Sequence, residues 1–450
     1  MKNYRPVSNL PFISKIVEKI VASQLEEHMT KQNLHEITQS AYKKCHSTET
    51  ALVKVSSDIL SSLDQGYVVV LVMLDLSAVF ETIDHEILLQ RFENTFGITN
   101  DALSWFRSYL ADRYQIINID GVLSDPVALH FGVPQGSVLG PKEYTMYTKP
   151  LGDIIKEHGL QHHFYADDSQ SYLAFKPVTS AETSDVLSRV EMCLADTRKW
   201  MRVNMLKVND DKTEVMLFTS KHKQNVMGPI ELMVGDTLVQ SAPFARNLGV
   251  KLDANMVMDK HINATCTSAY FQLRKIRHIR RSLTENAAKT LVHTLVTPRI
   301  DYCNVVLYGL PKRQLQKIQQ VQNTAARIVT KTPRRNHITP VLRELHWLPV
   351  EYRIQFKLLV HTYRALNAQA PIYITDLLQW HKPARSLKSE QALLLNIPRT
   401  RTATYGERAF QAAAPTLWNK LPSLVKSNTT LDGFKKDLKT FLFERAFDMS

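Results

Sequence analysis

Apolar positions recur every three to four residues over 11–32 and again over 47–64, which predicts two amphipathic helices, the second with Thr48 as a candidate cap. The rhythm then changes. Tyr67 to Leu74 is an unbroken apolar run after Gly66, as expected of a buried strand, and it ends on Asp75. Helical spacing returns over 84–95 and 100–111, the latter carrying Trp105, Phe106 and Tyr109. Gln115 to Ile119 reads as a strand, and Gly132 to Ser137 as a loop that opens a helix. Two short apolar runs, His163 to Ala166 and Tyr172 to Phe175, flank Asp167 and Asp168, which predicts strand, tight turn, strand. An amphipathic helix over 180–201 and short strands at 213–218, 229–233 and 248–252 follow. Beyond Asp259 the pattern is helical at 259–282, 284–298, 311–330, 350–367 and 430–446, with a Pro/Arg-rich stretch from Pro371 to Arg401 that reads as a linker or irregular segment. The pattern is α+β in the first half and all-α in the second.

Charge follows the same division. The chain of 450 residues carries a net charge of +13. Residues 1–250 hold 24 Lys and Arg against 30 Asp and Glu, whereas residues 251–450 hold 32 against 13. An acidic half followed by a strongly basic one suits a polyanionic partner. Cys45, Cys193, Cys266 and Cys303 lie far apart, which predicts neither a zinc knuckle nor a disulfide framework. No apolar run approaches the roughly 18 residues of a membrane span, and the N-terminus lacks a signal-peptide core. The expectation is a reducing, nuclear or cytoplasmic setting, with neither secretion nor a membrane partner.

The candidate chemistry lies at the strand ends. Two adjacent carboxylates, Asp167 and Asp168, repel unless a cation neutralises them, and hard divalent ions take carboxylate oxygens. With Asp75 they form the acid set that two-metal phosphoryl transfer requires. Gly132 to Pro141 packs three Gly and two Pro into ten positions around Gln135, a loop open to close backbone approach by a ligand. Lys212 precedes an apolar strand and could protonate a pyrophosphate leaving group. Asn247-Leu248-Gly249-Val250 is a turn that could hold a primer strand, and Arg274, Arg277 and Arg281 are spaced to share one helix face.

In order, Asp75…Phe80, Pro134-Gln135-Gly136, Tyr165-Ala166-Asp167-Asp168, Lys212 and Leu248-Gly249 resemble the sequence blocks of reverse transcriptases. Asn3 to Leu10, Gln39 to Lys44, His46 to Ala51 and Leu74 to Ala78 look like LINE-type (non-LTR) retrotransposons of the Jockey/chicken-repeat group. Pro398 to Arg401, Tyr405 to Phe410 and Trp418-Asn419 with Leu421-Pro422 are similar to the C-terminal region of those reading frames.

The resemblance implies a right-hand polymerase: fingers and palm over 1–255, a helical thumb and basic nucleic-acid-binding region over 256–370, and the C-terminal region of the retrotransposon polyprotein over 371–450. It implies RNA-directed DNA polymerase activity on an RNA template and DNA primer, with deoxynucleoside triphosphates and two Mg²⁺ ions held by Asp75, Asp167 and Asp168. Phe80 would exclude a 2′-hydroxyl. Gln135 would frame the nascent pair, and Arg5, Lys43 and Lys44 would meet the triphosphate. Gly249, Arg274, Arg277 and Arg281 would contact nucleic acid.

Two departures stand out. Glu81 replaces a frequent Asp, and Lys142-Glu143-Tyr144 replaces a more apolar run, which predicts altered helix packing. The opening within a finger block and the absence of an endonuclease block predict an N-terminally truncated copy. The alternative reading is a non-catalytic nucleic-acid-binding remnant or domesticated retroelement protein. A group II intron maturase or telomerase relative would share the palm but not the flanking blocks.

Overall fold

The computed structural model describes residues 8–77, 80–177, 179–209, 212–221, 223, 228–381 and 393–447. The chain divides into two compact units. The first comprises residues 1–44, 70–215 and 229–242; the second comprises 45–69, 216–228 and 243–450.

The first unit is built on a four-stranded sheet with order Glu214–Phe218, Val68–Leu74, Asp168–Phe175, Gln161–Tyr165. The division between units falls within the first two of these strands. The apolar run Val68–Leu74 is interior to the sheet and buried along nearly its whole length, which explains why it shows no polar alternation. Asp75 leaves its end. Gln161–Tyr165 and Asp168–Phe175 form an antiparallel hairpin in which Tyr165 faces Asp168. The tight turn is Ala166-Asp167, with Ala166 at φ 55°, a left-handed conformation that costs a non-glycine residue roughly 1–2 kcal/mol.

The outer side of the hairpin is fastened by residues 36–41. Phe164 donates its N–H to the Thr38 carbonyl (2.9 Å), and Ser40 donates to the Phe164 carbonyl (2.9 Å). The Gln39 side chain accepts from Ala166 N–H at 3.1 Å and so holds the turn itself. Buried beneath, Glu36 pairs with His162 at 3.2 Å. Burial alone would raise the Glu36 carboxyl, but hydrogen bonds from His162 and Thr38 and the charge of Lys156 overcome it and hold it at about 2.

Helices Phe12–Lys31, His85–Asn94, Asn100–Leu110, Gly140–Tyr147, Pro150–Glu157 and Ser180–Val203 complete this unit. Gln115 to Ile119, expected as one strand, is instead two two-residue strands in an exposed ribbon, Tyr114–Gln115 and Asn118–Ile119. The strand expected at 229–233 is Glu231–Val234, paired with Thr237–Gln240, whose mostly exposed side chains left no alternation to read.

Glu143 shows what the polar substitution in helix Gly140–Tyr147 does. It is completely buried, and neither carboxylate oxygen has a hydrogen-bond partner among the described residues. Burial pushes its carboxyl up to about 8; Arg113 opposes this and Glu18 adds to it. A carboxyl raised in the folded state must stay protonated there. Its contribution is whole below the unfolded value near 4.5 and is lost as pH rises toward 8. Glu143→Leu is therefore expected to stabilise the protein at pH 8 by about 2 kcal/mol, with the gain shrinking toward pH 5. Denaturant titrations at the two pH values check this, and equal stability at pH 8 would contradict the assignment.

The second unit is mainly helical: Thr48–Asp64, Asp259–Ile279, Glu285–Leu295, Lys312–Thr330, Val350–Leu366, Phe410–Asn419 and Leu431–Ala446 are its longer helices. Ser47, rather than Thr48, caps the first of them, through a reciprocal capping box with Thr50. One core gathers Val53, Leu358, Tyr373, Phe410 and Ala414. A second gathers Tyr363, Trp418, Phe434 and Leu438, with the Tyr363 and Phe434 rings stacked at 4.3 Å.

The stretch expected as a linker or irregular segment is largely irregular but packed where it is described. Tyr373, Ile374 and Leu395 are buried, and Trp380 bridges Leu395. The helix expected to run to 282 ends at Ile279, and Arg280 turns inward. Its guanidinium donates to the carbonyls of Ile328 (2.7 Å), Val329 (2.6 Å) and Leu283 (2.7 Å). Two of these acceptors are orphan carbonyls at the end of Lys312–Thr330.

The C-terminal motif around Arg401 is held by a single carboxylate. Asp64, at the end of helix Thr48–Asp64, accepts from Arg401 N–H (2.9 Å), Thr402 N–H (2.7 Å) and the Thr402 hydroxyl (2.8 Å). A Cβ on Gly406 would lie 2.5 Å from that carboxylate, so only glycine fits the approach. Arg408 continues the motif inward, donating to the carbonyls of Tyr308 and Thr404.

Candidate active site

The acids converge in the first unit. Asp75 sits at the end of the buried strand, and Asp167 and Asp168 lie at and beside the hairpin turn of the neighbouring pair. Lys212 reaches Asp75 Oδ2 at 3.2 Å. Its position follows from the short pairing Leu76↔Val208 and Ser77↔Lys207, extended by Asn209 N–H donating to the Asp75 carbonyl at 2.9 Å. Partial desolvation, then the charges of Asp167 and Asp75, push the Asp168 carboxyl up to about 6. Asp168 therefore senses both other acids, although solvent at the exposed turn screens part of the repulsion.

That electrostatic crowding is the test of whether a divalent cation fits. The donor set is three carboxylates short of positive charge, which is what a hard cation requires. As the side chains stand, no group of three or more His, Cys, Asp or Glu among the described residues closes around a single ion. Asp75 is instead turned to Lys212.

Two aromatic residues that sequence reasoning passed over line the same place. Tyr144 is buried, and its hydroxyl is pushed up by burial and then by Asp167, Tyr42 and Asp168. Its ring meets that of Phe80 at 5.5 Å. Tyr42 is half exposed, with its hydroxyl raised by burial and by Asp167. Both tyrosines lie within or beside blocks already singled out, which was the available signal; aromatic residues serve cores so often that type alone did not mark them.

The glycine-rich loop is zipped onto the turn after Asp75. Gly132 N–H donates to the Ile83 carbonyl and Val133 N–H to the Phe80 carbonyl, each at 2.7 Å. At φ 85°, Gly132 brings its backbone so close that a Cβ would lie 2.9 Å from the Phe80 carbonyl oxygen. Gln135, three residues on, keeps a buried Oε1 without a hydrogen-bond partner among the described residues.

Other expected residues have different surroundings. Lys43 donates to the Glu36 carbonyl, and burial lowers its ammonium to about 8. Lys44 is exposed. Arg5 lies outside the described residues.

The remaining candidates belong to the second unit. Gly249, at φ 84°, turns the hairpin Phe244–Asn247/Val250–Asp253, and the Tyr302 hydroxyl donates to the neighbouring Leu248 carbonyl at 2.7 Å. Arg274 and Arg277 line a groove of about 1140 Å³ with Arg280, Arg327, Lys331 and Arg334, and no carboxylate among the described residues lines it. Arg281, expected on the same face, is exposed in the turn after the helix and is not among the lining residues.

Residues 1–252 match the family model described as Reverse transcriptase (RNA-dependent DNA polymerase). The chain belongs to the reverse transcriptase family. The relatives of this reverse transcriptase include a probable RNA-directed DNA polymerase from transposon BS of Drosophila melanogaster, 28% identical over 366 residues, which are 78% of this chain and 39% of that protein. The RNA-directed DNA polymerase from the mobile element jockey of the same fly is 23% identical over 341 residues, 74% of this chain and 36% of that protein. The reverse transcriptase thus spans less than two fifths of the length of these curated relatives. A weaker structural likeness runs to an apo telomerase from Candida Tropicalis, with TM-score 0.41 and 9% identity, covering 75% of this chain and 55% of that one. No helix among the described residues is long and apolar enough to cross a membrane.

Proposed function

We propose that the chain is the polymerase segment of a non-LTR retrotransposon protein, extending a DNA 3′ end along an RNA template. The observation that carries the reading is the meeting of Asp75, Asp167 and Asp168, in family order, with charges crowded enough to raise Asp168. These three acids would hold two Mg²⁺ ions. Divalent metal held by these carboxylates would supply Lewis acidity to the primer 3′-hydroxyl and positive charge to the triphosphate and the departing pyrophosphate. Lys212, already beside Asp75, is the cation that would hand a proton to that leaving group.

Phe80, braced by Tyr144, would exclude a 2′-hydroxyl from the incoming sugar. Gln135 would frame the new pair with its unpartnered oxygen. Lys44 and Arg5 keep their proposed triphosphate contact. Lys43 could take part only by leaving the Glu36 carbonyl. Gly249 would keep the primer-holding turn close-packed.

The basic groove would carry the nucleic-acid backbone. Arg280 is committed to backbone carbonyls and Arg327 to those of Pro333 and Asn336. That leaves Arg274, Arg277, Lys331 and Arg334 for phosphates. For about four phosphate contacts on a single strand, the logarithm of the association constant should fall with the logarithm of salt concentration with a slope near −3. Arg274→Ala with Arg277→Ala should bring that slope to about −1.5. A slope near zero, measured by fluorescence anisotropy, would remove the groove from the reading.

Extension of a primed RNA template by the purified chain with deoxynucleotides and Mg²⁺ tests the activity. Failure to extend a template that the chain still binds would leave the non-catalytic remnant as the reading.

A further inference from the structure

The second unit contains a cavity of about 570 Å³ that the polymerase reading does not use. Helices Glu285–Leu295, Val350–Leu366 and Leu431–Ala446 each contribute to its wall, as does the loop Leu345 to Leu348. Its volume lies within the range of small-molecule sites, about 300–1,000 Å³. Trp347, Leu348 and Phe356 supply apolar surface.

Two lining side chains carry unsatisfied polar atoms. Asn304 is 1% exposed and Trp347 is 6% exposed, and both Asn304 Oδ1 and Trp347 Nε1 are buried without a hydrogen-bond partner among the described residues. The orientation of Asn304 is fixed, because its Nδ2 faces Asp301 Oδ1 at 3.4 Å and only the amide nitrogen can donate to a carboxylate. Asn304 and Trp347 thus each bring an orphan polar atom to the cavity wall, and each costs roughly 1–3 kcal/mol if left unmade.

Four cations line the cavity against one acid. Arg353 is paired with Asp301, and Lys357 with Glu49. Lys289 and Lys439 have no ion pair or hydrogen bond among the described residues, so the field is positive. His293 registers it: burial lowers its imidazole, and Lys289, Arg353 and Lys439 push the same way against Asp301.

We propose that this cavity binds a single nucleotide, its base against Trp347 and Phe356 and its phosphate between Lys289 and Lys439. A base edge carries donors and acceptors, which would supply the partners that Asn304 Oδ1 and Trp347 Nε1 lack once either side chain shifts toward it. An anionic phosphate answers the two unpaired lysines, and aromatic contact is tolerant of base identity. The nucleotide is either free or part of an unpaired strand. The site is separate from Asp75, Asp167 and Asp168 and holds whether or not the chain polymerises.

The test titrates the full chain with uridine and adenosine 5′-monophosphates and with a short single-stranded oligoribonucleotide, following tryptophan fluorescence. A 4-thiouridine-substituted strand is photocrosslinked in parallel. Lys289→Ala with Lys439→Ala should weaken binding about tenfold, and Trp347→Phe should remove the quench, with melting temperatures confirming that both variants fold. Arg274→Ala should weaken the strand but leave mononucleotide binding unchanged. Quench by mononucleotides assigns the pocket to a free nucleotide. Quench by the strand alone, with crosslinks at residues 345–348, assigns it to unpaired nucleic acid. Wild-type quench in Trp347→Phe, unchanged affinity in the lysine variant, or crosslinks confined to residues 270–280 and 320–334 would overturn the proposal.

Discussion

Asp167→Asn is expected to reduce primer extension about a thousandfold without lowering the melting temperature. The rate loss follows from removing one carboxylate of the proposed metal set. Metal stabilisation of transition-state charge amounts to several kcal/mol, and each 1.36 kcal/mol is a factor of ten. The stability side follows from Asp168, whose carboxyl is raised in part by the Asp167 charge. Deleting that charge relieves repulsion at the turn, so the folded state loses nothing. Single-nucleotide extension and thermal melting of the same preparation separate the two effects. Retained extension would remove Asp167 from the chemistry. A melt several degrees lower would recast it as a structural residue.

Asp64→Ala should be the most damaging substitution away from the acids. Its carboxylate accepts from two backbone N–H groups and a hydroxyl across 337 or 338 positions of sequence. Its 7% exposure leaves little water to replace it. Hydrogen bonds to a charged acceptor contribute roughly 1.5–3 kcal/mol each, and the loss is compounded when buried donors are stranded. A net cost of about 3–4 kcal/mol is expected, which lowers the melting temperature by roughly 10 °C in a body of this size. Asp64→Asn should recover part of the loss, since an amide oxygen keeps some of the acceptors. A melting curve for Asp64→Ala within a degree of wild type would show that the segment after Arg401 is held by other contacts.

The parts of the fold legible in the sequence were those whose pattern is local. The run Tyr67 to Leu74 announced a buried strand because both its faces are covered, and the helices beyond Asp259 kept their spacing because one face of each is core. The three acids were legible because each terminates or turns a strand, where a carboxylate has little structural use. Tyr144 and Tyr42 were not, since a tyrosine near a cluster of acids looks like any packed ring until its neighbours are known. Nor was the commitment of Arg280 to carbonyls rather than phosphates. The helix stops at Ile279 and Arg280 opens a 3-10 turn, and helix ends are poorly specified by sequence. Asp64 read simply as the last residue of a helix, because its partners stand more than three hundred positions away.

That separation also sets a schedule. Helix Thr48–Asp64 leaves the ribosome more than three hundred residues before the donors at Arg401 and Thr402 and the core residues Phe410 and Ala414 that cover it. At about 5–20 residues per second, the helix waits roughly 20–70 s for them with its apolar face open. During that interval the nascent chain is a natural client for a holdase chaperone. A chain cut short before Arg401 would leave helix Thr48–Asp64 without the partners of Asp64 and without part of the core that covers it.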